Sequence, residues 1–214
     1  RFFDQSRPDS IPWEFLNIKQ AAIDQHNIIQ SLKSIYSGKW ISTGISKGGE
    51  TVLIHKSKYP WDVDVAVPYV APLIHTQEDI RTENHINTIG TDECRAKIVE
   101  FQRAVLKNRD ALLIEISKYA NENEMSFTEL STEEALEYAV LEFPFSFWQW
   151  GGSCDEIPDK TSSSKLMFEY INKIVGISFY NDKTYFDLLP SYYQHITELG
   201  YYGFDTTHVK DLLQ

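Results

Sequence analysis

Cysteine is nearly absent from this sequence: Cys94 and Cys154 are the 2 in 214 residues. They do not form a C-x-x-C pair, which argues against a metal or redox centre. Two readings stand for them, a pair of buried free thiols or a single disulfide in an exported protein. Positive charge is in deficit too, with a formal net charge of −11. Such a surface repels a phosphate backbone and disfavours anionic membranes, so nucleic acid is not an expected partner. No apolar run approaches the roughly 20 residues a spanning helix needs. No signal peptide is visible, but that says little, because Arg1 reads as lying inside a domain. Internal repeats and low-complexity tracts are missing. The G-x-x-x-x-G-K-[ST] spacing of a phosphate-cradling loop is missing as well.

What is present is an ordinary globular composition, 42% hydrophobic and 24% charged. Aromatics reach 14%. That is rich for a plain helical domain and suits ligand pockets as well as cores.

The chain reads in two textures. Residues 1–3 resemble the end of a strand, followed by a Ser, Pro and Asp loop. A helix is expected from Asn17 to Tyr36, capped by Asn17 with Gln20 three residues on. Ile18, Ala22, Ile29, Leu32, Ile35 and Tyr36 would form its buried face. A β-rich run over Lys39–Thr43 precedes a helix from Gly49 to Lys58, which ends before Pro60. Asp64–Tyr69 reads as a further strand. The alternation of strand and helix implies a parallel sheet.

After Pro72 the sequence is almost wholly helical. One long helix is expected over Thr91–Ala120, with Cys94, Ile98, Phe101, Val105, Leu112, Ile116 and Tyr119 on its buried stripe. Ser131 and Glu134 make a capping box for the next helix, which Pro144 should end or kink. Helices follow near Ser164–Val175 and Thr184–Leu199, the latter interrupted at Pro190. The expected organisation is a core piece over 1–74 and a helical domain over 75–214. So few strands do not make a stable open parallel sheet, so missing strands are expected before Arg1 and after Gln214.

One motif carries chemistry. Gly44-Ile45-Ser46-Lys47-Gly48 fits G-x-S-x-G between an expected strand and an expected helix, the setting of a nucleophile elbow. The glycines at either end let strand and helix approach closely, and Gly49 adds a second close approach. Ser46 would be the nucleophile. The backbone N–H of Lys47, at the helix start, would face a developing oxyanion. The bland alternative is a glycine-rich turn. Ser46 needs a histidine base, and the base needs a carboxylate. His55 lies on the helix after the elbow and should point away. His75, His85, His195 and His208 sit in or beside helices with no strand before them. Base and acid are therefore left unassigned.

At the elbow and its flanks a family resemblance emerges. RFFDQSRP, FLNIKQAAIDQHNII and GKWISTGISKGGETVLIHKSKYPWDVDVAVPYVAP resemble the secreted bacterial tripeptidyl aminopeptidases of the PS-10 serine-peptidase family. That family is distantly similar to prolyl carboxypeptidase. EFPFSFWQWGGSC and ELGYYGFD extend the likeness over nearly the whole chain. The resemblance implies an α/β fold: a partial α/β-hydrolase core carrying a large helical lid. It implies release of short peptides from free amino termini, with Ser46 matching the nucleophile and the triad Asp and His beyond this chain. It implies export, to the medium or the cell envelope, which strengthens the disulfide reading of Cys94 and Cys154. No cofactor or metal is implied, and the oligomeric state is open.

An exopeptidase that reads a free amine needs a carboxylate at a fixed distance from the serine. Glu142 stands among aromatics, where rings add a cation–π contribution of about 0.5–2 kcal/mol. The alternative is a lid core with Glu142 facing solvent. Trp148 and Trp150 read as pocket walls or as plain core. Arg1 and Arg7 read as structural ion pairs, and Glu122-Asn123-Glu124 and Glu133-Glu134 as solvated helix ends. The rival functions are an esterase or lipase with the same elbow, and a non-catalytic binding module.

Overall fold

The structure, a computed structural model, describes residues 8–214. The strand end expected at residues 1–3 and the ion pairs expected of Arg1 and Arg7 lie outside them. The fold is mixed α/β and mostly helical, with one small parallel sheet. It divides into two compact units. One comprises residues up to Asp79 with Pro190–Tyr201; the other comprises Ile80–Leu189 with Tyr202–Gln214.

The first unit opens with helix α1, Ile18–Lys33. The Asn17 side chain accepts from the Gln20 N–H, as the sequence indicates, but Gln20 turns its own side chain to Asp24. The expected buried face is largely uncovered. Ala22 is buried, whereas Leu32, Ile35 and Tyr36 are exposed. α1 rests on helix α2, Lys47–Lys58, and its C-terminal half is held by polar contacts to the segment after α2, His26 and Gln30 to Asp62 and Lys33 to the Trp61 carbonyl.

Strands β1, Ile41–Ile45, and β2, Val65–Tyr69, pair in parallel, with Ile41 opposite Val65 and Ile45 opposite Tyr69. Asp64 fixes the start of the pair by accepting from the Trp40 N–H and from Lys39. α2 is the crossover and packs on both strands. Ile41, Ile45, Val65 and Tyr69 are all exposed.

The second unit contains α3 (Ile80–Ile86), α4 (Asp92–Lys107), α5 (Arg109–Glu122), α6 (Thr132–Gln149) and α7 (Ser164–Ile174). It also holds most of α8, Asp182–Gln194. The long helix expected over Thr91–Ala120 is two helices, broken at Asn108. Asn108 leaves helical geometry and bonds its own side chain back to the Ala104 carbonyl, the local competition that makes Asn a poor interior residue. Its apolar stripe is nevertheless right: Cys94, Ile98, Phe101, Val105, Leu112 and Ile116 are buried in one cluster, with Tyr119 packed against it.

The capping box of Ser131 and Glu134 is present. Pro144, however, does not end α6, which runs on to Gln149. Proline removes the N–H that would serve the Val140 carbonyl. The buried Gln102 side chain donates to that carbonyl instead, at 2.7 Å. Pro190 likewise sits inside α8, and the interruption comes after Gln194, as a π turn over His195–Leu199. Cys94 and Cys154 are joined by a disulfide, with Cα atoms 5.5 Å apart.

Candidate active site

Ser46 stands between β1 and α2 with φ 55° and ψ −127°. A non-glycine residue there is strained by about 1–3 kcal/mol and is held only when its surroundings over-determine it. Those surroundings are visible. The Ser46 N–H donates to the Tyr69 carbonyl at 3.0 Å, and the Ser46 carbonyl accepts from the Glu50 N–H at 3.1 Å. A Cβ on Gly44 would collide with the Gly48 carbonyl. A Cβ on Gly49 would lie 3.0 Å from Gly44 O and Tyr69 O. Gly48 itself is different: a Cβ there meets nothing within 4 Å among the described residues. The close approach expected of the motif's last glycine is made by Gly49 alone.

Ser46 is exposed, and Lys47 is the first residue of α2. Its backbone N–H therefore belongs to the helix-start donors that have no intrahelical acceptor. The Lys47 side chain donates to Gln194 at 2.6 Å.

Among the described residues no histidine is hydrogen-bonded to Ser46. His55 points into the unit, fully buried, and donates to Asp62 at 2.9 Å. His195 donates from Nδ1 to the Gly200 carbonyl at 3.0 Å. Burial holds its imidazole below the ordinary value of 6.5, and the nearby Lys47 charge adds to that, against the Gly200 carbonyl. His208 pairs with Gln102 in the second unit. His75 and His85 are exposed.

One polar constellation is not foreseen from the sequence. Asp62, buried just before β2, accepts from His26 at 2.7 Å and Gln30 at 2.7 Å on α1, and from His55 on α2. Burial pushes the Asp62 carboxyl up, but these three donors outweigh it and hold it below its usual range. The His26 ring stacks on Tyr59, with centroids 4.2 Å apart. The available signal was the i,i+4 spacing of His26 and Gln30, which places both on one face of α1. A second unforeseen group is Glu50, buried one turn after Ser46; burial raises its carboxyl against the Lys47 charge.

Glu142, Trp148 and Trp150 belong to the second unit. Glu142 does not face solvent. It is half-buried and accepts from the Ser146 hydroxyl at 3.0 Å and the Tyr202 hydroxyl at 2.8 Å. Burial raises its carboxyl while the two hydroxyls oppose that rise. Tyr202 also stacks on Phe145, with centroids 4.3 Å apart. Trp148 packs its ring against Gly90, and its buried indole N–H has no acceptor among the described residues. Trp150 ends α6 and is 70% exposed, so it is not core. No group of His, Cys, Asp and Glu among the described residues is arranged to hold a metal ion. No helix among them is long and apolar enough to cross a membrane.

Known proteins resemble this chain as follows. A profile of the family described as PS-10 peptidase S37 matches residues 1–213. A prolyl tri/tetrapeptidyl aminopeptidase of Streptomyces mobaraensis is 35% identical over 218 aligned residues. The alignment takes in 100% of this chain and 46% of that relative, so the chain spans about half the relative's length. No solved structure matches it.

Proposed function

Because the chain belongs to the PS-10 peptidase S37 family, we propose that it is the nucleophile-bearing part of a longer, exported serine aminopeptidase that releases tripeptides from free amino termini. The observation that carries this reading is Ser46, held at φ 55° between β1 and α2 in a peptidase family. In the proposed reaction the Ser46 hydroxyl attacks the scissile carbonyl and passes its proton to a histidine base. The Lys47 N–H donates to the oxyanion, a contribution of about 2.7–4 kcal/mol for a donor of this type. The leaving amine departs with a proton, and water then hydrolyses the acyl-enzyme.

Residues 1–74 would supply part of an α/β-hydrolase core, and residues 75–214 its helical cap. Partial coverage of the relative and the exposed strands β1 and β2 support that division. Glu142 would recognise the substrate's ammonium group, with Trp148 and Trp150 as walls. Its support is a carboxyl set among rings and bonded by two hydroxyls. The disulfide fits an exported protein.

A chromogenic tripeptide with a free amino terminus tests the reading. The 214-residue chain should match its own Ser46→Ala variant, since no histidine among the described residues is hydrogen-bonded to Ser46. A longer natural polypeptide containing it should lose nearly all turnover on that change. Turnover by the short chain that vanishes in Ser46→Ala would show that a histidine within it, His195 or His208, completes the site. A longer polypeptide indifferent to Ser46→Ala would refute the nucleophile assignment.

A further inference from the structure

The first unit holds a small, partly open cavity that the proposed chemistry does not use. It measures about 20 Å³. Ile18, Ala22 and Leu199 form its apolar wall, and Lys47, Glu50 and Gln194 its polar one. One water needs roughly 10–15 Å³ of such space and two to four polar partners. The cavity therefore has room for one.

Glu50 supplies an independent observation. Its residue is 6% exposed, and its Oε2 is buried with no hydrogen-bond partner among the described residues. Leaving such an oxygen unpaired is costly, because the water bonds it loses on burial are not replaced. Buried polar groups of this kind are ordinarily met by ordered water. The opposite wall offers donors. Gln194 accepts from Lys47 through Oε1 and keeps two amide N–H groups beyond that bond.

We propose that this cavity binds one structural water between Glu50 Oε2 and the Gln194 side chain, and that Glu50 acts through it as a positioning residue for the Ser46–Lys47 elbow. The functional half of this proposal rests on Ser46 being the nucleophile; the water site does not. The strained Ser46 backbone must be held from more than one side. Gly44, Gly49 and the Tyr69 carbonyl hold it on the sheet side. The Lys47–Gln194 bond and the Glu50 water link hold the first turn of α2 on the other, toward α1 and residues 194–199.

The link changes character with pH, because a neutral carboxyl donates to the water and an ionised one only accepts. Lys47, on the same helix, is the charge that bears on Glu50. α1 presents Ile18 and Ala22, which carry none, and residues 194–199 present neutral Gln194 and Leu199. His195 is held toward its neutral form, and Glu198 is bound to the Ile18 N–H.

Amide hydrogen exchange on the 214-residue chain tests this, comparing the native sequence with Glu50→Gln and Glu50→Leu. Exchange at residues 50–54 should show a pH inflection above the ordinary carboxyl value of 4.5, and Glu50→Gln should abolish it. Glu50→Leu, which removes the carboxyl, should speed local exchange by about tenfold while α4 to α7 stay unchanged. A high-resolution crystal structure should show one water between Glu50 and Gln194. Identical pH profiles in the native chain and Glu50→Gln would overturn the positioning role. A Glu50 side chain turned to solvent, or a dry cavity, would overturn the water site. If Glu50→Leu does not fold, the Glu50→Gln profile still decides. None of these readings requires turnover, so a failed nucleophile assignment would appear separately, in the peptide assay.

Discussion

The two units differ in the large side chains they enclose completely. In the helical unit the fully enclosed groups are apolar apart from Gln102: Phe101, Leu112, Ile116, Leu136, Phe143, Phe147 and Met167. Among the described residues of the unit that carries Ser46, the fully enclosed large side chain is His55, with Asp62 and Glu50 also buried. Its strands meanwhile expose Ile41, Ile45, Val65 and Tyr69, and Val70 just after β2 is exposed as well. The helical unit is thus held by its own core, and its disulfide closes a loop of sequence separation 60. In the chain-entropy account a loop of that length contributes about 4 kcal/mol. The elbow unit is held by close glycine packing and by directed hydrogen bonds. The large apolar core and the strained Ser46 turn thus belong to different units.

The comparison is most exposed to a pair of truncations. Phe143→Ala, in the centre of the helical core, should destabilise by about 3–5 kcal/mol. Ile45→Ala, on an exposed strand, should change stability by no more than about 0.5 kcal/mol. Urea unfolding of the 214-residue chain measures both. Equal effects would break the contrast, by showing that the strands are covered in solution.

A medium effect is expected at Asp62. Asp62→Ala leaves His26, His55 and Gln30 without their shared acceptor. Orphaning such groups should cost about 1–3 kcal/mol. The loss should appear as faster amide exchange in α1 and α2, with the helical unit unaffected. The carboxyl is depressed in the folded state, so its contribution is present above the unfolded value of 3.8 and fades as pH falls through the folded one. A loss spread evenly over both units would argue that they unfold together.

Local signals carried much of this fold. The Asn17 and Ser131 caps are short-range and were read, and so was the apolar stripe from Cys94 to Ile116; the Thr91 and Ser163 caps are just as local but were not. The break at Asn108 is also local, but a continuous stripe on both sides concealed it. Pro144 misleads for a different reason. Its effect is decided by Gln102, 42 residues away in sequence, which serves the carbonyl that proline abandons. G-x-S-x-G located the strained turn, whereas two polar clusters away from it, one in each unit, went unread. Asp62 lies within YPWDVD, and Tyr202 within ELGYYGFD. Those words marked a resemblance before any role for them was visible. Their partners, His26 and Glu142, are 36 and 60 residues distant, and no spacing rule reaches that far.

The smallest effect sharpens the contrast from the other side, because polar anchoring is not confined to the elbow unit. In the helical unit Asp182 accepts from the Glu129 N–H at 3.0 Å, and from the Thr128 N–H and hydroxyl at 2.8 Å each. Those bonds, led by the Glu129 amide, bring its carboxyl down to about 2. Unlike Asp62, this group lies near the surface, where solvent screens most of the gain. Asp182→Asn should therefore cost only about 0.5–1 kcal/mol at neutral pH. The sign follows from the depression: the native carboxylate stabilises above the ordinary value of 3.8, and that contribution is lost as pH falls toward about 2. The difference between the native chain and Asp182→Asn should accordingly shrink to nothing across that window. Unfolding midpoints measured from neutral pH downward would show it. A penalty as large as that of Asp62→Ala would mean that the helical unit, too, depends on a polar anchor, and the division of labour between core and hydrogen bonds would fail.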